Sequence, residues 1–192
     1  MRGTLTTHVS LLARLSDGDD ATAWSDFLDR YGELIRSFAQ RRGLQAADCD
    51  DVAQDVLLAL TKAMRSFEYR AEKGRFRAYL KAATLRLVNR KFWQKTGVRP
   101  LEQVEDAGAD PAVESLWEEE WRAHHVRQAM RTLEVEFGRT ELRAFQWYGV
   151  EGRGAQETAA ALSLSLNQVY QAKSRVMKRL AELIEEQTQD EG

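Results

Sequence analysis

Cysteine occurs once in the 192-residue chain, as Cys49. A single thiol excludes an intramolecular disulfide, and the expected setting is a reducing cytoplasm. Proline occurs twice, at Pro100 and Pro111. Both fall in one stretch, so the rest of the chain is free to be helical and that stretch is the first candidate boundary. Long apolar runs are missing. Segments such as Val56-Leu57-Leu58-Ala59-Leu60 are far shorter than the roughly 20 residues of a membrane span, so no membrane insertion is expected. Met1 to His8 lack the apolar core of a secretory signal. With 43% hydrophobic and 30% charged residues, the composition is that of a globular protein and not a disordered chain.

Each of two segments almost lacks charge of one sign. The chain as a whole is nearly balanced, at a formal net charge of −2. Residues 70–99 hold one acid, Glu72, against 10 bases. Residues 101–120 hold no base and 8 acids. The basic block consists of Arg70, Lys73, Arg75, Arg77, Lys81, Arg86, Arg90, Lys91, Lys95 and Arg99, interleaved with Phe76, Tyr79, Phe92 and Trp93. Cations mixed with aromatics in this way point to nucleic acid, although a solvated helix with inward aromatics gives a similar pattern.

Apolar spacing is helical almost everywhere, and no segment shows sustained period-two alternation. Leu5, Val9, Leu12 and Leu15 form one short face. Trp24, Phe27, Leu28, Tyr31, Leu34, Ile35 and Phe38 form the next, closed by Arg41-Arg42-Gly43. Val52, Val56, Leu60, Met64 and Phe67 follow, with Asp48, Asp50 and Asp51 at the helix start. Phe76, Tyr79, Leu80, Ala83 and Leu87 make a fourth stripe, past which the helix is expected to project beyond its core. Gly97 to Asp110 reads as a linker, after which Asp110 caps a helix that starts with Pro111. The predicted fold class is all-α, with two small helical domains joined by a flexible acidic linker.

Residues 141–184 predict a short helix, Ala155 to Leu162, a three-residue turn, and a long helix opened by the capping box Ser165-Leu166-Asn167-Gln168. This is the layout of a DNA-reading helix-turn-helix, or of an ordinary helical hairpin with a polar surface. On the first reading, Asn167, Gln168, Tyr170, Gln171, Ser174 and Arg175 face base edges, and Lys173, Lys178 and Arg179 reach phosphates.

At this point the chain resembles a bacterial RNA polymerase sigma factor of the extracytoplasmic-function type over roughly Leu11 to Leu183. Asp48 to Val56 is similar to that family's acidic helix, Phe76-Arg77-Ala78-Tyr79-Leu80 to its Phe-x-x-Trp-Leu signature, and Glu157 to Leu180 to its C-terminal helix-turn-helix. Tyr79, Leu85, Ser163 and Ala172 depart from the family's usual tryptophan, asparagine, glycine and arginine, and leave the promoter preference open. The resemblance implies region 2 over residues 1–99, an acidic linker and helix start over 100–120, and region 4 over 121–192. It implies core RNA polymerase and promoter DNA as partners and, as for many relatives, an anti-sigma protein. Asp51, Gln54, Asp55 and Leu58 are then the polymerase-binding candidates. Tyr69, Arg70, Lys73, Arg77, Lys81, Asn89, Arg90 and Lys91 are the region 2 DNA candidates, with Tyr69 at the melting pocket. The acidic linker is expected to thread a cationic channel of the polymerase or to be a solvated spacer.

Other classes are weaker fits. The glycines form no phosphate loop ahead of a helix. His124 and His125 are adjacent and diverge by about 100 degrees on a helix, a poor basis for a metal site. No enzymatic activity, cofactor or metal is expected. A stand-alone helix-turn-helix regulator explains residues 141–184 alone, and an RNA-binding adaptor is separable from both by its nucleic-acid preference.

Overall fold

The computed structural model describes residues 8–16, 20–64, 75–97 and 110–191, and every element among them is helical. They are α1 (His8–Ser16), α2 (Ala21–Arg41), α3 (Ala46–Met64), α4 (Arg75–Thr96), α5 (Pro111–Glu136), α6 (Arg139–Ala144), α7 (Ala155–Leu162) and α8 (Leu166–Glu191), with a π-helical segment, Phe145–Val150, directly after α6. The chain divides into two compact units, residues 1–124 with 190–192 and residues 125–189. Among the described residues, no helix is long and apolar enough to cross a membrane.

The first unit is built on α2. Asp20 caps it, accepting from the backbone amides of Thr22 and Ala23 at 3.0 Å each. Arg14 of α1 donates to Asp20 and to Asp26, each at 2.7 Å, and holds the Asp20 carboxyl well below the usual carboxylate range. The helix stops at Gly43, whose φ of +97° is open to glycine and costly for other residues. The amides of Gly43 and Leu44 return to the carbonyls of Gln40 and Ala39, at 2.8 and 3.1 Å, so the last carbonyls are satisfied.

Around α2 the predicted stripes turn inward. Leu11, Leu12 and Leu15 of α1, Phe27, Tyr31 and Phe38 of α2, Val52, Val56 and Leu60 of α3, and Phe76, Leu80 and Leu87 of α4 share one core. Val113, Trp117 and Trp121 of α5 belong to the same core. Trp117 is fully buried and meets Phe38 edge-on at 5.2 Å. Loss of a buried tryptophan costs about 3–5 kcal/mol, so this stretch of α5 is part of the unit's framework. The described part of the expected acidic linker, 110–120, is therefore helical and packed: Asp110 caps it through the Ala112 amide at 2.9 Å, and an apolar residue every fourth position faces the core.

Helix α4 corrects one expectation. It does not leave its core after Leu87. Val88 is fully buried, Asn89 is 3% exposed, and Phe92 packs against the cluster. The apolar stripe shifts by one residue at Leu87-Val88, which swings the buried face round and keeps the helix end on α2 and α3.

The second unit has its own small core of Ala129, Leu133, Phe145, Val176 and Leu183. The long helix α8 buries Val169, Ala172, Val176 and Leu183, at helical spacing. Helix α7 occupies the predicted residues and ends at Ser163, which takes the left-handed conformation at φ +55°. The Leu164 amide then bonds back to the Ala159 carbonyl at 2.9 Å, so a serine closes a turn that favours glycine. The predicted capping box is present: the Ser165 amide donates to Gln168 Oε1 at 2.7 Å, and the Gln168 amide to Ser165 Oγ at 3.2 Å.

Candidate protein and nucleic-acid interfaces

The exposed side of α3 carries Asp51, Gln54, Asp55 and Leu58, at steps of three and four that place them on one face. Leu58 is 58% exposed, unusual for a leucine beside three polar neighbours. Behind this face α4 runs antiparallel, and its cations answer the acids in order. Arg90 donates to Asp55 at 2.5 Å, Lys91 to Asp51 at 2.7 Å, and Lys95 to Asp48. Asp51 pushes the Lys91 ammonium above its ordinary pKa by hydrogen bonding and charge. Asp50, one residue from this row, turns instead to Arg36 of α2 at 2.7 Å. The acids at the start of α3 are thus ion-pair partners of neighbouring helices as well as favourable charges at a helix N-terminus.

The opening half of α4 is paired differently. Arg77 donates to Glu118, and Lys81 to Glu114. Arg77 also lies 4.9 Å from the ring centre of Trp121, a cation–π contact. Arg41 of α2 donates to Glu119 at 2.8 Å and to Glu120 at 3.0 Å, which holds the Glu119 carboxyl below its ordinary value. The acids expected in a linker neutralise the cations expected on DNA. The two charge blocks of the sequence meet inside one unit.

The predicted region 2 set therefore separates. Tyr69, Arg70 and Lys73 lie outside the described residues. Arg77 and Lys81 sit under α5. Arg90 and Lys91 stand at the α3 seam, with Lys95 beside them, a residue the candidate set omitted. Asn89 is buried, and its side-chain oxygen faces Arg42 Nη2 at 3.5 Å, so it does not lie on an exposed basic face.

In the second unit Asn167, Gln168, Tyr170, Gln171, Lys173, Ser174, Arg175 and Lys178 are all exposed. Gln168 has its carbonyl oxygen committed to the cap. Arg175 pairs with Glu141 at 2.9 Å and lies over Phe137. Lys178 reaches Glu182 at 4.0 Å but stays largely exposed. Arg179 does not extend to solvent as a phosphate ligand: Glu136 receives it through two nitrogens, at 2.9 and 3.0 Å, and Glu186 at 3.2 Å.

One neighbour escaped the sequence reading. Tyr148 meets the ring of Tyr170 at 5.5 Å and lies beneath the Lys173 ammonium at 5.0 Å. Gly149 beside it is closely packed: a Cβ there would stand 3.0 Å from Phe145 Cδ2 and 3.5 Å from Lys173 Cγ. The signal was the run Gln146-Trp147-Tyr148-Gly149, aromatic residues set just ahead of a glycine-rich turn.

Two further groups have structural surroundings. His124 stacks on Tyr31 at 5.3 Å, and His125 Nδ1 lies 3.2 Å from Gln187 Oε1. Among the described residues, no group of three or more His, Cys, Asp or Glu side chains could hold a metal ion.

Residues 27–96 match the family Sigma-70 region 2. The matched segment takes in α2 from Phe27 onward and the whole of α3 and α4, and so the α3–α4 ion pairs. No curated protein matches the chain. Among solved structures, CnrH in complex with the cytosolic domain of CnrY is similar over 91% of this chain and 95% of that chain, at 20% identity and a TM-score of 0.37.

Proposed function

We propose that the chain is a transcription initiation factor of the extracytoplasmic-function sigma type, which binds core RNA polymerase, directs it to promoters and assists melting. The observation that carries this reading is the match of residues 27–96 to sigma-70 region 2. The α3 face of Asp51, Gln54, Asp55 and Leu58 supports it, as a mixed acidic and apolar surface suited to a basic partner. On this reading the polymerase docks there. Arg90, Lys91, Lys95 and the exposed Arg86 form the α4 contribution to DNA, together with Tyr69, Arg70 and Lys73. Arg77 and Lys81 hold α5 and leave that set, as does buried Asn89. Helices α7 and α8 act as a helix-turn-helix, with Asn167, Tyr170, Gln171, Ser174 and Arg175 toward base edges and Lys173 and Lys178 toward phosphates. No catalytic step is assigned to the chain itself.

The test is a pull-down with core polymerase. Wild type retains the enzyme, and charge reversal at Asp51 and Asp55 releases it; equal recovery overturns the assignment of the α3 face. The capped α7–α8 pair also suits a stand-alone DNA-binding regulator. Such a protein binds its operator unaided, whereas a sigma-type factor binds promoter DNA tightly only with the polymerase present.

A further inference from the structure

We propose that occupation of α3 by a cationic protein surface and binding of nucleic-acid phosphates by α4 are coupled, because the two helices use the same two ion pairs, Asp51–Lys91 and Asp55–Arg90, for both. This rests on the sigma-type reading of the α3 face. Asp48, Asp51 and Asp55 neutralise Lys95, Lys91 and Arg90 in the free chain. A polymerase surface that takes Asp51 and Asp55 as its own partners leaves Lys91 and Arg90 without counter-ions and free for phosphate. By linkage, phosphates that take the cations free the acids for the polymerase, by the same factor.

The pairing at the other end of α4 does not behave this way. Glu114 and Glu118 sit on a helix whose Val113, Trp117 and Trp121 are in the core. Exchanging these carboxylates for phosphate crowds a helix that cannot move away without exposing two tryptophans. The α3 pairs need only side-chain rotation. Asp51 and Arg90 have 58% and 46% of their side-chain surface exposed, and the helices stay joined through their buried apolar residues. The seam is thus exchangeable where the α5 contact is fixed.

The free chain is tested with a fluorescein-labelled duplex of random sequence, by anisotropy across a salt series. Asp51→Asn/Asp55→Asn is compared with Asp50→Asn, which removes a charge from the same helix but frees Arg36 of α2 and no α4 cation. The double variant binds the duplex roughly three- to tenfold tighter than wild type, the release of two exposed pairs. Its plot of log affinity against log salt is steeper by nearly two, at about 0.9 per cation gained. Asp50→Asn keeps the wild-type slope. A double variant with the wild-type slope overturns the coupling. Should that variant lose its helical far-UV signal, Arg90→Gln/Lys91→Gln decides. It frees the acids and holds core polymerase about threefold tighter, and equal or weaker retention overturns the proposal. Retention of polymerase by wild type, with unchanged slopes, leaves the sigma-type reading standing and removes the coupling alone. Failure of wild type to retain polymerase removes both.

Discussion

Arg77 and Trp121 are joined face to cation at 4.9 Å, although they stand 44 positions apart in sequence. The contact ties the start of α4 to the part of α5 that carries Glu114, Glu118 and the two buried tryptophans. It makes the first unit a structure completed from beyond the matched segment, which ends at residue 96.

Trp117→Ala should therefore unfold the first unit early. The expected loss is about 3–5 kcal/mol, the usual cost of emptying a buried tryptophan site. Chemical denaturation followed by helical far-UV signal reads it directly. A midpoint within error of wild type would show that α5 is not part of that core.

Ser163 holds a left-handed conformation that glycine adopts freely. Ser163→Gly should stabilise the second unit by roughly 1 kcal/mol, and Ser163→Val should destabilise it by at least as much. Paired thermal melts separate the two. Equal melting temperatures would mean that this turn contributes no strain.

Glu136 is held below its ordinary value of 4.5 by the hydrogen bond from the Arg179 guanidinium, the largest influence, against the opposing effect of burial. A carboxyl with a lower pKa folded than unfolded stabilises the fold above the unfolded value, and that contribution fades as pH falls through the folded value. Arg179→Met should melt below wild type at neutral pH, with the gap narrowing as the pH falls below the ordinary value of 4.5 and through the lowered folded value. A pH-independent gap would assign the effect to packing alone.

Tyr148 supports two residues of the proposed recognition face. Tyr148→Ala should weaken promoter binding by the polymerase complex several-fold through misplacement of Tyr170 and Lys173, and Tyr148→Phe should restore most of it because the ring contacts need no hydroxyl. Competition with random duplex DNA distinguishes lost sequence preference from lost affinity. A Phe variant as weak as Ala would point to the hydroxyl instead.

The helices were legible because period and punctuation agree. Gly43, Asp110-Pro111 and the Ser165 box each mark a boundary that the structure keeps. The exposed polar face at the start of α8 followed from the same spacing. What the sequence concealed was the pairing of its charges. Arg77, Lys81, Arg90 and Lys91 read as one cationic block because their acidic partners lie 33 to 41 positions away, and local patterns say nothing about which helix a side chain meets. Asn89 was misplaced for a related reason: a one-residue shift in the apolar stripe at Val88 rotates it inward, and a polar side chain gives no sign of that. The contact of Tyr148 with Tyr170 and Lys173 was missed because a π-helical turn breaks the ordinary helical spacing by which neighbours are inferred.

The salt-bridged seam between α3 and α4 also shapes what the molecule projects into solvent. Opposite charges a few ångström apart present a dipole, whose field dies away faster than that of a lone charge and is further damped within about 10 Å at ordinary ionic strength. Such a surface exerts little pull on a distant polyanion.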